Sequence, residues 1–166
     1  MEKKISEEGI HYTPIGVIRS PFTKIDDMPI QPAGARGVEG TVELRPEYAE
    51  GLKDLDGFSH IYLLYHFHQS RGFSLTVTPF LDKTPRGLFA TRAPKRPNAI
   101  GLSVVRLDRI EGNVLYILDV DILDGTPLLD IKPYVRQFDA ADNPSSGWIG
   151  KSAMTPDSIR SDDRFR

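Results

Sequence analysis

The sequence predicts a mainly β fold, a closed or nearly closed antiparallel barrel with one or two short helices and a long irregular loop. Three observations predict it. Short apolar runs are separated by Pro and Gly punctuation along most of the chain. Two of these runs flank Glu111-Gly112-Asn113, a strong hairpin signal. Helical periodicity is scarce, and many strands with few helices call for closure, which removes exposed edges.

In chain order, His11 to Ile18 reads as a first strand that Ser20-Pro21 ends. Phe22 to Gly40 carries Pro29, Pro32, Gly34, Gly37 and Gly40 with no period. So long a loop in a compact domain is usually functional. Thr41 to Leu44 is strand-like. Pro46 to Asp54 is the best helix candidate, with Pro in the first turn and Tyr48, Leu52 and Leu55 at helical spacing, weakened by Gly51. Phe58 to Phe67 is rich in aromatic and β-branched residues and reads as a buried strand. Ser74 to Phe80 and Gly87 to Thr91 read as further strands. From Ile100 to Leu123 the two arms of the hairpin follow, with Val114, Tyr116, Leu118, Val120 and Ile122 alternating as one sheet face. A last short strand runs from Leu128 to Lys132. The organisation expected is one domain over residues 10–138 and a polar C-terminal extension over 139–166, which includes Asp162-Asp163.

Composition narrows the function. The 166 residues suit a single core. The absence of cysteine excludes thiol nucleophiles, disulfides and zinc–thiolate sites. No apolar run approaches the roughly 20 residues that span a bilayer, and the N-terminus lacks an apolar signal region, so the expectation is a cytoplasmic protein without a membrane. The net charge of −2 argues against a generic nucleic-acid coat. Locally, however, Lys83, Arg86, Arg92, Lys95 and Arg96 form a run with no acid inside it. A solvated loop and a basic docking face are both open readings of that run.

Four polar clusters stand at expected strand ends. Phe89 to Ser103 holds Arg92, Lys95, Arg96 and Asn98 on a backbone stiffened by Pro94 and Pro97, a setting in which Arg forks a carboxylate or phosphate. Asp119 to Tyr134 contains Asp121, Asp124-Gly125 and Asp130, either as turn caps or as groups that meet the hydroxyls or amine of a ligand. Ser59-His60 and His66-Phe67-His68-Gln69 place three histidines about one strand. No third ligand has recognisable metal spacing, so no metal is expected and hydrogen-bonding caps are the alternative. The fourth cluster is the long loop, with Arg19 before it and Gln31, Pro32 and Arg36 within it.

Taken together, these segments resemble the family of tRNA threonylcarbamoyladenosine N6-methyltransferases. The matching pieces are Ile15-Gly16-Val17-Ile18-Arg19-Ser20-Pro21, Phe58-Ser59-His60, Phe67-His68-Gln69, the segment from Phe89 to Ser103, Asp124-Gly125-Thr126-Pro127 and Asp130-Ile131-Lys132-Pro133-Tyr134. They stand in the family's order over roughly residues 13 to 135. The resemblance implies a single-sheet antiparallel β-barrel, a homodimer, and S-adenosylmethionine bound near the subunit interface. Carried over by position, the cofactor contacts fall on Ile30, Gln31, Pro32, His68, Gln69, Arg92, Leu102, Asp121, Ile122, Leu123 and Asp124. It also implies methyl transfer to N6 of threonylcarbamoyladenosine beside the anticodon of tRNA. Arg92 is then the first candidate for a functional side chain, with His68 and Asp124 as candidate bases. Lys83, Arg86, Lys95 and Arg96 would serve RNA. Two features depart from the family pattern. Ala99 stands where a second proline is more usual, and the length leaves no room for the second, C-terminal domain that some relatives carry. Three other readings stay open at this stage: a small-molecule methyltransferase of the same fold, a non-catalytic cofactor- or nucleotide-binding module, and a purely structural dimer.

Overall fold

The computed structural model describes residues 9–29, 32–80 and 82–151. Six strands close into an antiparallel barrel: β1 (Gly16–Arg19), β2 (Glu39–Leu44), β3 (His60–His66), β6 (Ile100–Glu111), β7 (Val114–Leu118) and β8 (Thr126–Pro133), arranged β1-β2-β7-β6-β3-β8 and back to β1. Between them, β4 (Thr76–Val77) and β5 (Arg86–Gly87) form a two-stranded ribbon outside the barrel. Among the described residues a single α-helical turn, α1 (Arg136–Asp139), follows β8, and the remaining helical pieces are 3-10 turns.

Alternation selects the interior. Along β3, Ile61, Leu63 and Tyr65 are buried while Tyr62 and Leu64 stay half-exposed. Leu115 and Ile117 of β7, Val105 of β6, Val42 of β2, Ile18 of β1 and Leu128 of β8 complete the same core. Burial of each such aliphatic side chain contributes about 1.5–3 kcal/mol. The hairpin expected at residues 111–113 is present: Glu111 pairs with Val114, and Gly112 takes φ +61. That is the first position of a II′-type turn, which favours glycine. β6 pairs with β3 through its first half and with β7 through its second. A register shift between Leu107 and Arg109 bends it between the two partners, as bulges do in barrels.

Several expected elements are corrected. The first strand is confined to Gly16–Arg19, because Pro14 has no N–H to give a ladder. The expected helix at Pro46–Asp54 is a 3-10 helix, Pro46–Leu52, and Asp54 beyond it is left-handed with φ +65. The strand expected over Ser74–Phe80 shrinks to Thr76–Val77. Of the one expected over Gly87–Thr91 only Gly87 remains in a strand, and Leu88–Ala90 coils as a 3-10 turn. The second arm of the hairpin stops at Leu118, where Asp119 adopts φ +68. This residue resets the alternation. Val120 and Ile122 point into the core in step with Leu115 and Ile117, not with Val114, Tyr116 and Leu118.

Asp119 is held in that strained conformation by two partners. Arg106 donates through Nε at 2.6 Å and Nη2 at 3.1 Å, and the Gly37 amide donates at 2.7 Å. The same bonds hold its carboxyl below the usual carboxylate range, the Arg106 hydrogen bond foremost. The chain from Val120 to Gly125 is thereby carried across one end of the barrel, the end where the candidate site lies. Asp162-Asp163 falls outside the described residues.

Candidate functional site

At that end of the barrel the structure opens a cavity of about 700 Å³. This is within the range typical of small-molecule and cofactor sites. Its floor is the top of the barrel: Tyr65 of β3, Gly101 and Leu102 of β6, and Asp121 to Leu123. One wall is the turn after β3, with Phe67, His68 and Gln69. Another is the loop from Phe89 to Pro94, which stands on the β4–β5 ribbon and its own small core of Val77, Leu88 and Ala93 with Phe80. Ile25, Met28 and Pro29 come from the long loop. Trp148 and Ile149 come back from beyond α1, and the indole N–H of Trp148 donates to the Ala90 carbonyl at 2.8 Å.

Of the residues expected to contact a cofactor, His68, Gln69, Arg92, Leu102, Asp121, Ile122 and Leu123 line this one cavity. Ile30 and Gln31 lie outside the described residues, and Pro32 opens a 3-10 turn, Pro32–Ala35. Asp124 is not among the lining residues. Its carboxylate accepts from the Ser20 amide at 3.1 Å and lies 3.7 Å from Arg19 Nη1, and its own amide bonds the Phe22 carbonyl. Asp124 thus ties the exit of β1 to the turn before β8, the capping alternative of the sequence reading.

The basic run is similarly tied down. The acid absent from inside it stands one residue before it: Arg86 forms an ion pair with Asp82 and lies 5.5 Å from the centre of the Trp148 ring. Arg96 donates to the carbonyls of Thr91 and Ala93 at 3.0 and 3.2 Å and stacks near Phe89. Lys95 is half-buried, and Lys83 is exposed. Arg92, by contrast, is exposed and makes no hydrogen bond or ion pair among the described residues, so its fork is available to a ligand.

The electrostatics of the cavity centre on Asp121. It is 9% exposed, and burial raises its carboxyl to about 6, opposed mainly by a hydrogen bond from Ser103. Burial also raises Tyr65 above the ordinary phenol range. His68 is held below the usual imidazole value, first by burial and then by the neighbouring His66 and Arg71. Its Nδ1 lies 3.3 Å from the Thr126 hydroxyl. A buried carboxylate with no ion pair among the described residues, at the edge of a cavity that also presents the Arg92 guanidinium, fits a ligand carrying both a positive centre and a carboxylate. S-adenosylmethionine is such a ligand, and the apolar faces of Met28, Leu102 and Ile122 suit its adenine.

Tyr65, Ser103, Thr126 and Trp148 escaped the sequence reading as site residues. Tyr65 sits in a run that reads as plain core, and Trp148 lies in a polar segment with no period. Ser103, at the end of the Phe89 to Ser103 cluster, and Thr126, within Asp124-Gly125-Thr126-Pro127, carried a signal.

Residues 17–140 match a family model described as tRNA-methyltransferase O N-terminal domain. The chain is 55% identical over 156 residues to a probable S-adenosyl-L-methionine-binding protein of Pyrococcus abyssi, covering 94% of this chain and 85% of that protein. It is 35% identical over 139 residues to the human tRNA (adenine(37)-N6)-methyltransferase, covering 78% of this chain and 31% of that one. The crystal structure of TrmO from Pseudomonas aeruginosa superposes with a TM-score of 0.71 at 42% identity, over 84% of this chain and 62% of that chain. The chain therefore spans most of the archaeal relative but less than two-thirds of the human and Pseudomonas proteins.

Proposed function

Because this chain belongs to the tRNA-methyltransferase O N-terminal domain family, we propose that it is an S-adenosylmethionine-dependent tRNA methyltransferase acting on N6 of the adenosine beside the anticodon. Threonylcarbamoyladenosine is the acceptor we assign. The observation that carries the reading is the barrel-end cavity, in which an unengaged Arg92 and a buried Asp121 meet apolar walls of cofactor size.

When bound, S-adenosylmethionine supplies an electrophilic methyl group on a sulfonium. The chain's own residues have three tasks. Arg92 forks a carboxylate, of the cofactor or of the threonyl group. Leu102, Ile122 and Met28 exclude water from the reacting centre. The Pro94-stiffened loop and the Asp119-set turn hold donor and acceptor in line, an alignment that contributes up to about 7–11 kcal/mol in well-oriented reactions.

Ile100 and Leu102 expose 42% and 49% of their surface beside the cavity, and Phe138 exposes 83%. These apolar groups support a homodimer whose second copy covers the cavity's edge. Lys83, Arg86, Lys95 and Arg96, doubled by the dimer, would meet the tRNA backbone, and the protein would work in the cytoplasm on its tRNA. Among the described residues no helix is long and apolar enough to cross a membrane.

The test is thermal unfolding with and without S-adenosylmethionine, followed by methylation of tRNA from cells lacking the protein. Cofactor at 100 times its dissociation constant adds about 2.7 kcal/mol. The melting temperature should rise, less so in Arg92→Ala, and radiolabelled methyl should enter adenosine. A rise without any methylation of RNA would leave a cofactor-binding module instead.

A further inference from the structure

Gly101 of β6 faces Tyr65 of β3 across the ladder. A Cβ there would overlap the Tyr65 ring at Cε2 and Cζ, so only glycine lets the ring lie flat across β6 toward Ser103. The Tyr65 hydroxyl lies 3.0 Å from Ser103 Oγ, and Ser103 Oγ donates to Asp121 Oδ1 at 2.7 Å. The serine has one proton and gives it to the carboxylate, so the phenol must donate to the serine. Three buried side chains thus form a directed chain, Tyr65 to Ser103 to Asp121, ending on a carboxylate at the cavity wall. Folding does not need it: a barrel closes as well on apolar groups, and burying polar ones is costly.

The geometry points to Asp121 as the group that takes the proton from the acceptor nitrogen, with Ser103 and Tyr65 as positioning residues that hold its carboxylate and set its basicity. This rests on the methyltransferase reading above. The transfer balances simply. As the nitrogen–carbon bond forms and the sulfur–carbon bond breaks, sulfur keeps the electron pair and the nitrogen sheds one proton, which passes to Asp121. The other candidates are less apt. Asp124 is committed to Ser20 and Arg19. His68 faces the Thr126 hydroxyl. Tyr65 holds its proton more tightly than a free phenol. A carboxyl raised to about 6 by burial is ionised at neutral pH yet basic enough to accept a proton, which is the match that general-base catalysis favours. The groups that act on it are Ser103 from β6 and Tyr65 from β3, with Arg92 from the loop before β6 favouring its charged form.

The test combines a titration of the protein alone with kinetics. In cofactor-free protein, the Asp121 carboxyl carbon followed by NMR should titrate near 6, and at higher pH in Ser103→Ala. An ordinary aspartate midpoint, or no movement in the variant, overturns the proposal. In Asp121→Asn, kcat measured at saturating S-adenosylmethionine should fall by about 100-fold or more, the usual range for a lost general base. Ser103→Ala and Tyr65→Phe should keep turnover at high pH, with the acidic limb of their kcat profiles moved upward. If Asp121→Asn weakens cofactor binding but recovers the wild-type kcat once S-adenosylmethionine is saturating, the carboxylate serves cofactor binding alone and the proposal fails. It fails also if that variant keeps most of its kcat while the wild type methylates tRNA. A wild type that methylates no RNA removes the methyltransferase reading itself, and this proposal with it.

Discussion

Replacing Asp121 with asparagine should make the protein more stable at neutral pH. The native carboxyl is raised from 3.8 to about 6, chiefly by burial. A rise of roughly two pH units corresponds to about 3 kcal/mol of preference for the protonated form, at 1.36 kcal/mol per unit. The folded state therefore binds the proton more tightly than the unfolded chain. Asp121 carries no penalty below about pH 4, a growing one between about 4 and 6, and a full one above about 6. The amide of the Asp121→Asn variant does not titrate and has no such window. The assay is urea unfolding of both proteins at intervals across that range. The variant should match or fall below the wild type at the acid end, where its amide only replaces one neutral group with another. At pH 7 it should exceed the wild type by up to about 3 kcal/mol, or several degrees in melting temperature for a domain of this size. The difference between the two proteins isolates Asp121. Other carboxylates act in the opposite sense: Asp119, held low by Arg106, contributes stability that is lost as pH falls below the ordinary aspartate range. Two stability curves that run parallel from acid to neutral pH would refute the reasoning.

The chain has a single tryptophan, Trp148, and it lines the cavity, so titrating S-adenosylmethionine should change its fluorescence. A saturating ligand detected by calorimetry but silent in fluorescence would place the cofactor elsewhere. Gly101→Ala puts a methyl into the Tyr65 ring, and overpacking of this kind costs about 1–3 kcal/mol by urea unfolding. Wild-type stability in that variant would mean that the ring moves freely and is not held toward Ser103. Leu63→Ala, a fully buried site of the barrel interior, should cost about 2–5 kcal/mol in the same measurement.

The barrel was legible because its signals are local. Glu111-Gly112-Asn113 specifies its turn within three residues, and the apolar runs of β3 and β6 sit where the sequence places them. The elements that were misjudged depend on one residue overriding a pattern. Pro14 truncates β1, and Asp119 takes a left-handed conformation that shifts Val120 and Ile122 into the core. The second effect requires Arg106 and Gly37, which no window around residue 119 contains. The site was legible as a list but not as an arrangement. Seven of the expected contacts share one cavity, yet the Asp124-Gly125 turn signal alone leaves Asp124 open as either a cap or a ligand contact. Asp121 lines the cavity and accepts a hydrogen bond from Ser103, and Asp124 pins Ser20. That distinction is made by tertiary contacts spanning 18 and 104 residues. Trp148 was missed for a related reason: a lone aromatic in a polar stretch has no period, and its role appears only when its indole reaches Ala90.

The seam between β1 and β8 joins the two ends of the ring. It has three residue pairs, Gly16 with Leu128, Val17 with Pro127 and Ile18 with Thr126, and Pro127 contributes no amide. The β3–β6 seam has seven. Parting the short seam would turn the ring into an open sheet with two bare edges while leaving the other five seams intact. The amides of Ile15 and Gly125, which bond Leu128 and Ile18 across it, should then exchange with solvent sooner than those along β3. Arg19, Ser20 and Asp124 lie at the cavity end of this seam. The ring would therefore breathe first at the seam that Asp124 pins through Ser20 and Arg19.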